Sequence, residues 1–138
     1  MILAIDHVGI AVTDLEAAVA RYRAVLGVEP SHRERVEEQG VEEVLIDLGA
    51  STIQLLGALG ADTPVGRFLA KRGPGLHHVA YRVEDLAEEL RRLRSDGVRL
   101  VDDAPRRGSR GTSIAFVHPT AVERSLVELV QLDRAAPR

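Results

Sequence analysis

Gly75-Leu76-His77-His78-Val79-Ala80-Tyr81-Arg82-Val83 is the stretch on which the fold turns, because it repeats Ile5-Asp6-His7-Val8-Gly9-Ile10-Ala11-Val12 at an offset of 71 residues. That offset sets His78 on His7, Val79 on Val8, Val83 on Val12, Asp85 on Asp14 and Leu86 on Leu15, and one slipped residue then brings Gly97-Val98 onto Gly27-Val28. Each copy opens as an alternating apolar run with a central His, passes an acidic turn and continues at helical period. The expected fold is α+β: two tandem β-α-β-β-β units whose strands form a curved, mostly antiparallel sheet around a metal site. The half-units are 3–60 and 75–132, joined by a linker over 61–74, within a single domain over 1–138.

Working outward, residues 2–12 read as a strand with Val8, Ile10 and Val12 on one face and Ile5, His7, Gly9 and Ala11 on the other. Thr13 or Asp14 caps the following helix, whose Leu15, Ala18, Val19, Tyr22, Val25 and Leu26 recur at helical spacing until Gly27 stops it, so that it covers the Val8 face. Residues 28–38 are polar and extended and lead into the turn cluster Glu37-Glu38-Gln39-Gly40. Strands over 41–48 and 52–56 follow. In the linker, Pro64, Val65, Phe68 and Leu69 predict a short helix before the Gly73-Pro74-Gly75 break. The second half repeats the plan: a strand through His78, a helix carrying Leu86, Leu90 and Leu93, strands at 98–101, 112–117 and 125–131, an arginine-rich turn over 106–111, and a frayed tail over 134–138.

The closing strands also correspond: Ile53-Gln54-Leu55-Leu56 matches Val127-Glu128-Leu129-Val130, and in each a polar residue interrupts an apolar run. A buried amide or carboxylate is costly unless something compensates it. His7, Gln54, His78 and Glu128 therefore form a duplicated set of four potential ligands, and coordination of one metal offsets all four burial costs together. Two neutral imidazoles, a neutral amide and one carboxylate leave a divalent site with one unit of net positive charge, so that it keeps Lewis-acid character. All-N/O ligation fits cobalt, nickel, zinc, manganese or iron.

The bulk numbers narrow the function. With 138 residues, 45% of them hydrophobic, the chain can bury one domain-sized core. A net charge of −3 and a pI near 5.9 offer no broad basic surface, so nucleic acid and anionic membrane are not expected partners. Without cysteine there is neither a disulfide nor a thiolate ligand. The N-terminus has neither the basic start nor the apolar run of a signal peptide, and no window approaches a membrane span, so the expected location is cytoplasmic.

The chain resembles the vicinal oxygen chelate superfamily and, within it, the methylmalonyl-CoA epimerases. The resemblance rests on Ile5-Asp6-His7-Val8-Gly9, Tyr22 to Leu26-Gly27, Glu38-Gln39-Gly40-Val41, Lys71-Arg72-Gly73, Gly75-Leu76-His77-His78, Ala104-Pro105-Arg106, Phe116-Val117-His118-Pro119 and Leu126-Val127-Glu128-Leu129, and it covers residues 3–132. It implies a metal-dependent epimerase interconverting the 2R and 2S epimers of methylmalonyl-CoA through an enolate. The divalent ion, cobalt by resemblance, is held by His7, Gln54, His78 and Glu128. The resemblance further implies two proton-exchanging carboxylates, Glu128 and Glu43, and an acyl-CoA thioester substrate. Two carboxylates on opposite faces of a carbon suit such an exchange.

Other readings use the same fold: a glyoxalase-like isomerase or lyase with the same ligands, or a metal-free module that binds a drug or metabolite. His77, facing with Val79 and Tyr81, is read as structural, and Glu42 adjoins Glu43 on the opposite strand face. Arg106, Arg107 and Arg110 are candidates for the phosphates of a nucleotide-bearing substrate, against the plainer reading of a solvated loop. His118-Pro119 shapes a turn. The segment Thr120-Ala121-Val122-Glu123-Arg124 departs from the small glycine-containing loop usual at that place. Exposed strand edges in such folds point to a homodimer.

Overall fold

The computed structural model describes residues 1–133, so the expected frayed tail over 134–138 lies outside the described residues. The chain divides into two compact units, His7–His77, and Met1–Asp6 together with the residues from His78 onward. Strand β1 (Ile2–Val12) contributes its first residues to one unit and its remainder to the other.

In the His7–His77 unit, α1 (Leu15–Leu26) starts at Asp14, whose carboxylate accepts from Ala17 N at 3.1 Å, and ends at Gly27, which takes a left-handed φ of 67°. Then come β2 (His32–Val36), β3 (Val41–Asp47), β4 (Thr52–Ala58) and α2 (Pro64–Arg72). Gly40, at φ 68°, reverses the chain after a single 3-10 turn and launches β3. The strand order is β2-β3-β4-β1, antiparallel except for the parallel β1–β4 pair. Val44, Ile46 and Leu55 pack with Val12 under Ala18 and Val19 of α1, as the helical spacing predicts. On the opposite face, Ala11, Val36, Val41 and Leu56 pack with Val65 of α2, with Phe68 and Leu69 against them.

The other unit has the same plan. It holds β5 (Gly75–Val83) from His78 onward, then α3 (Leu86–Ser95), β6 (Arg106–Arg107), β7 (Ser113–Val117) and β8 (Val127–Gln131). The order is β5-β8-β7-β6, again with one parallel pair, β5–β8. Asp85 caps α3 as Asp14 caps α1, and Leu86 and Leu90 are buried against Ala115, Val117 and Leu129. Each such leucine contributes about 1.5–3 kcal/mol by leaving water.

Two expectations fail here. Residues 98–101 do not make a strand: only Leu100 forms an isolated bridge, to Val117. The ladder fails because Val101 N and Asp102 N both turn onto the Phe116 carbonyl, while the Asp102 carboxylate takes Phe116 N at 2.8 Å. A side chain thus fills the place of a backbone acceptor. The edge strand forms instead from Arg106 and Arg107, inside the expected arginine turn.

Candidate functional site

Register decides which side chains share a face. In the His7–His77 unit, Gln54 stands beside Gly9 across the parallel pair, two residues from His7, and beside Leu45 across the antiparallel one. Because side chains alternate along a strand, His7, Gln54 and Glu43 point to the same side of the sheet, opposite to α1. All three are buried, and Glu43 is 1% exposed. Glu42, one residue earlier, faces the other way, with a side chain 40% exposed and 3.3 Å from Arg33.

Gln54 Nε2 donates to Glu43 Oε2. An amide oxygen turned toward that carboxylate would be repelled, so the contact fixes the amide orientation and sends Oε1 the opposite way. Gln54 Oε1 is buried and, among the described residues, accepts no hydrogen bond. A buried acceptor left unmade costs about 1–3 kcal/mol, and a hard or borderline cation is a partner that an amide oxygen can satisfy.

The second unit reproduces this arrangement. Glu128 stands beside Ala80 across the parallel β5–β8 pair, two residues from His78, as Gln54 stands beside Gly9. His78 Nε2 lies 2.8 Å from Glu128 Oε2, and both residues are buried. Phe116, opposite Glu128 on β7, sets its ring edge-on to the His78 imidazole at 5.7 Å between centroids. Arg106 lies over the Phe116 ring, its guanidinium carbon 5.6 Å from the ring centre, and pairs with Asp102 at 3.2 Å. Each unit therefore offers a nitrogen and an oxygen donor from adjacent parallel strands. That chemistry fits a divalent ion of the borderline class.

The remaining sequence candidates take plainer places. His77 packs edge-on against Phe68 at 4.9 Å. His118 accepts from Thr120 N and caps the short 3-10 turn Pro119–Ala121, which takes in the start of the 120–124 segment. Sequence reasoning missed two contributors. Phe116 is one. The other is the pair on β2, where Glu34 stands directly opposite Glu43 and His32 Nε2 lies 2.9 Å from Glu34 Oε1. The alternation of His32, Glu34 and Val36 was the available signal, but a polar edge strand reads as solvated surface until its register is known.

Residues 6–116 match the model of the Glyoxalase/Bleomycin resistance protein/Dioxygenase superfamily. The ethylmalonyl-CoA/methylmalonyl-CoA epimerase of Cereibacter sphaeroides is 40% identical over 134 residues, covering 96% of this chain and 100% of that protein. A solved variant of the Streptomyces coelicolor methylmalonyl-CoA epimerase in complex with 2-nitronate-propionyl-CoA superposes with a TM-score of 0.94 at 41% identity, covering 100% of both chains. A methylmalonyl-CoA epimerase in complex with methylmalonyl-CoA and NH4+ superposes with a TM-score of 0.94 at 42% identity, also over 100% of both chains.

Proposed function

Since the chain belongs to the Glyoxalase/Bleomycin resistance protein/Dioxygenase superfamily, and within it to the methylmalonyl-CoA epimerases, we propose that it interconverts the 2R and 2S epimers of methylmalonyl-CoA by proton transfer at the α-carbon. His7, Gln54, His78 and Glu128 would hold a divalent ion, cobalt in this reading. The single observation that supports the ion is Gln54, whose amide is tied to Glu43 on its nitrogen side while its buried oxygen lacks a donor.

When bound, such an ion supplies Lewis-acid stabilisation of the charge that develops on the thioester oxygen, worth several kcal/mol. The chain's own residues do the rest. Glu43 and Glu128 serve opposite faces of the α-carbon, one removing the proton and the other returning one. Burial keeps bulk water from competing for that proton, and the Gln54 amide holds the Glu43 carboxylate so that it does not rotate away from the reacting carbon. Phe116 packs edge-on against the His78 ring and restrains it. The protein in this reading is a cytoplasmic homodimer. Ile2, Leu3 and Ile5, each about half exposed on one strand, supply apolar surface for a second copy, and sedimentation would measure its mass.

The decisive experiment is deuterium wash-in at the α-carbon of methylmalonyl-CoA, comparing metal-loaded and chelated protein. Ion-dependent exchange in the parent, reduced at least about a hundredfold by Glu128→Ala in line with the loss of a general acid-base group, is the expected result. Exchange that is indifferent to chelation would overturn the metal assignment, and a metal-loaded protein that binds acyl-CoA yet exchanges no α-proton would favour a binding module.

A further inference from the structure

Glu43 is 1% exposed, yet in the proposed reaction it takes up a proton that has to leave before the next substrate of the same hand can be deprotonated. A route from that carboxylate to water is therefore part of the catalytic problem. The register of β2 against β3 offers one. His32 pairs with Leu45 and Glu34 with Glu43, and strand alternation puts both β2 side chains on the Glu43 face. Donor atoms of His32, Glu34 and Glu43 all lie within 4.8 Å of one another, a span closed by a direct hydrogen bond or by one bridging water.

Strand β2 is at the edge of the sheet, and exposure rises toward it, from 1% at Glu43 to side-chain values of 21% at Glu34 and 31% at His32. His32 Nε2 lies 2.9 Å from Glu34 Oε1, a contact that orients the ring. An imidazole has two nitrogens, so it takes a proton on one and releases another from the second.

We propose that His32, held by Glu34, is the proton relay between buried Glu43 and solvent. This rests on the reading of Glu43 as one of two proton-transferring groups. The α C–H bond breaks, its proton goes to the Glu43 carboxylate and its electron pair stays on the substrate. The acid so formed passes a proton to neutral His32, directly or through one water, and the imidazolium releases one to bulk water. A solvent deuteron returns by the same steps, and no further reactant is needed.

The test starts from each pure epimer in deuterated buffer, stops the reaction early, and measures deuterium in the recovered substrate per molecule epimerised. Glu43→Gln identifies the epimer that Glu43 serves, by losing exchange from it alone. In the parent, that epimer gains deuterium when it is recovered. In His32→Ala and His32→Gln, Glu43 keeps the substrate's own proton and hands it back, so the ratio should fall at least about tenfold, as for a lost proton-transfer group. The ratio for the other epimer should stay within about twofold of the parent's. Imidazole added to the buffer should raise the ratio in His32→Ala and leave the parent's unchanged, and thermal unfolding is followed for every variant.

His32 variants that keep the parent's ratio overturn the relay. So do variants that lose deuterium equally from both epimers, melt lower and ignore imidazole, because a purely structural role produces that pattern. A parent whose product is deuterated while its recovered substrate is not, from either epimer, also overturns it, since Glu43 then does not exchange with solvent within a turnover. A parent that puts deuterium into neither substrate nor product removes the underlying reaction instead, and is told apart by that result.

Discussion

Gln54 shows how much a single residue can hold. Its nitrogen is committed to Glu43 and its oxygen is buried without a donor, so replacing it separates two effects. Gln54→Ala removes one proposed ligand and frees the Glu43 carboxylate, and should weaken metal affinity at least about tenfold, measured by competition with a chelating dye, while slowing exchange. Gln54→Glu sets a second carboxylate against Glu43 and neutralises the net positive charge of a loaded site. It should retain the ion yet epimerise more slowly than the parent. Away from the site, Glu89 is buried on α3, and the hydrogen bond from the Met1 ammonium, assisted by Arg92 and opposed by burial, lowers its pKa. A carboxylate whose folded pKa is depressed contributes stability above its unfolded value, and that contribution is lost as pH falls through the folded one. Glu89→Gln should therefore melt below the parent at neutral pH, with the gap closing as the pH drops below the ordinary value of 4.5.

At the scale of elements, the turn before β3 and the helix α3 are the sensitive pieces. Gly40 holds a φ of 68°, and a Cβ there would come within 2.6 Å of Thr63 Cγ2, at the cap of α2. Gly40→Ala should cost about 1–3 kcal/mol through backbone strain and that clash together, read by chemical denaturation. It should lower epimerase activity as well, since Glu43 lies three residues downstream on the strand the turn launches. Leu90, 1% exposed under α3, serves as a control for packing alone. Leu90→Ala should lose about 2–5 kcal/mol while the surviving folded protein keeps its kcat. The irregular 98–102 segment is an element-scale matter too: an Asp102 side chain takes over a backbone role, a substitution that no hydrophobic pattern announces.

At the scale of the whole molecule, the plan is a duplication carried through to register: each unit orders its strands in the same way and pairs its opening and closing strands in parallel. Each thereby sets a His two residues from the partner of an oxygen-bearing side chain. An ion that binds the folded chain and not the unfolded one adds stability by mass action, about 2.7 kcal/mol when its concentration is a hundredfold above Kd. Chelation should lower the Tm of the parent and leave that of His78→Ala nearly unmoved, as differential scanning calorimetry would show. No helix among the described residues is long and apolar enough to cross a membrane.

The sequence by itself determined the duplication, the helices, the glycine that ends the first of them and the residue types at the four candidate ligand positions, because these are local: alternation, helical spacing and a Gly after an apolar run are legible within a dozen residues. It could also mark Gln54 and Glu128 as polar interruptions of buried strands. Only the tertiary structure decided that Glu43 and not Glu42 turns inward beside Gln54, that the Gln54 oxygen is left without a donor, that Glu34 faces Glu43, and that residues 98–101 give up their ladder. Each of these depends on which strand lies beside which and in what register. A slip of one residue would exchange the two faces of a strand without altering its composition.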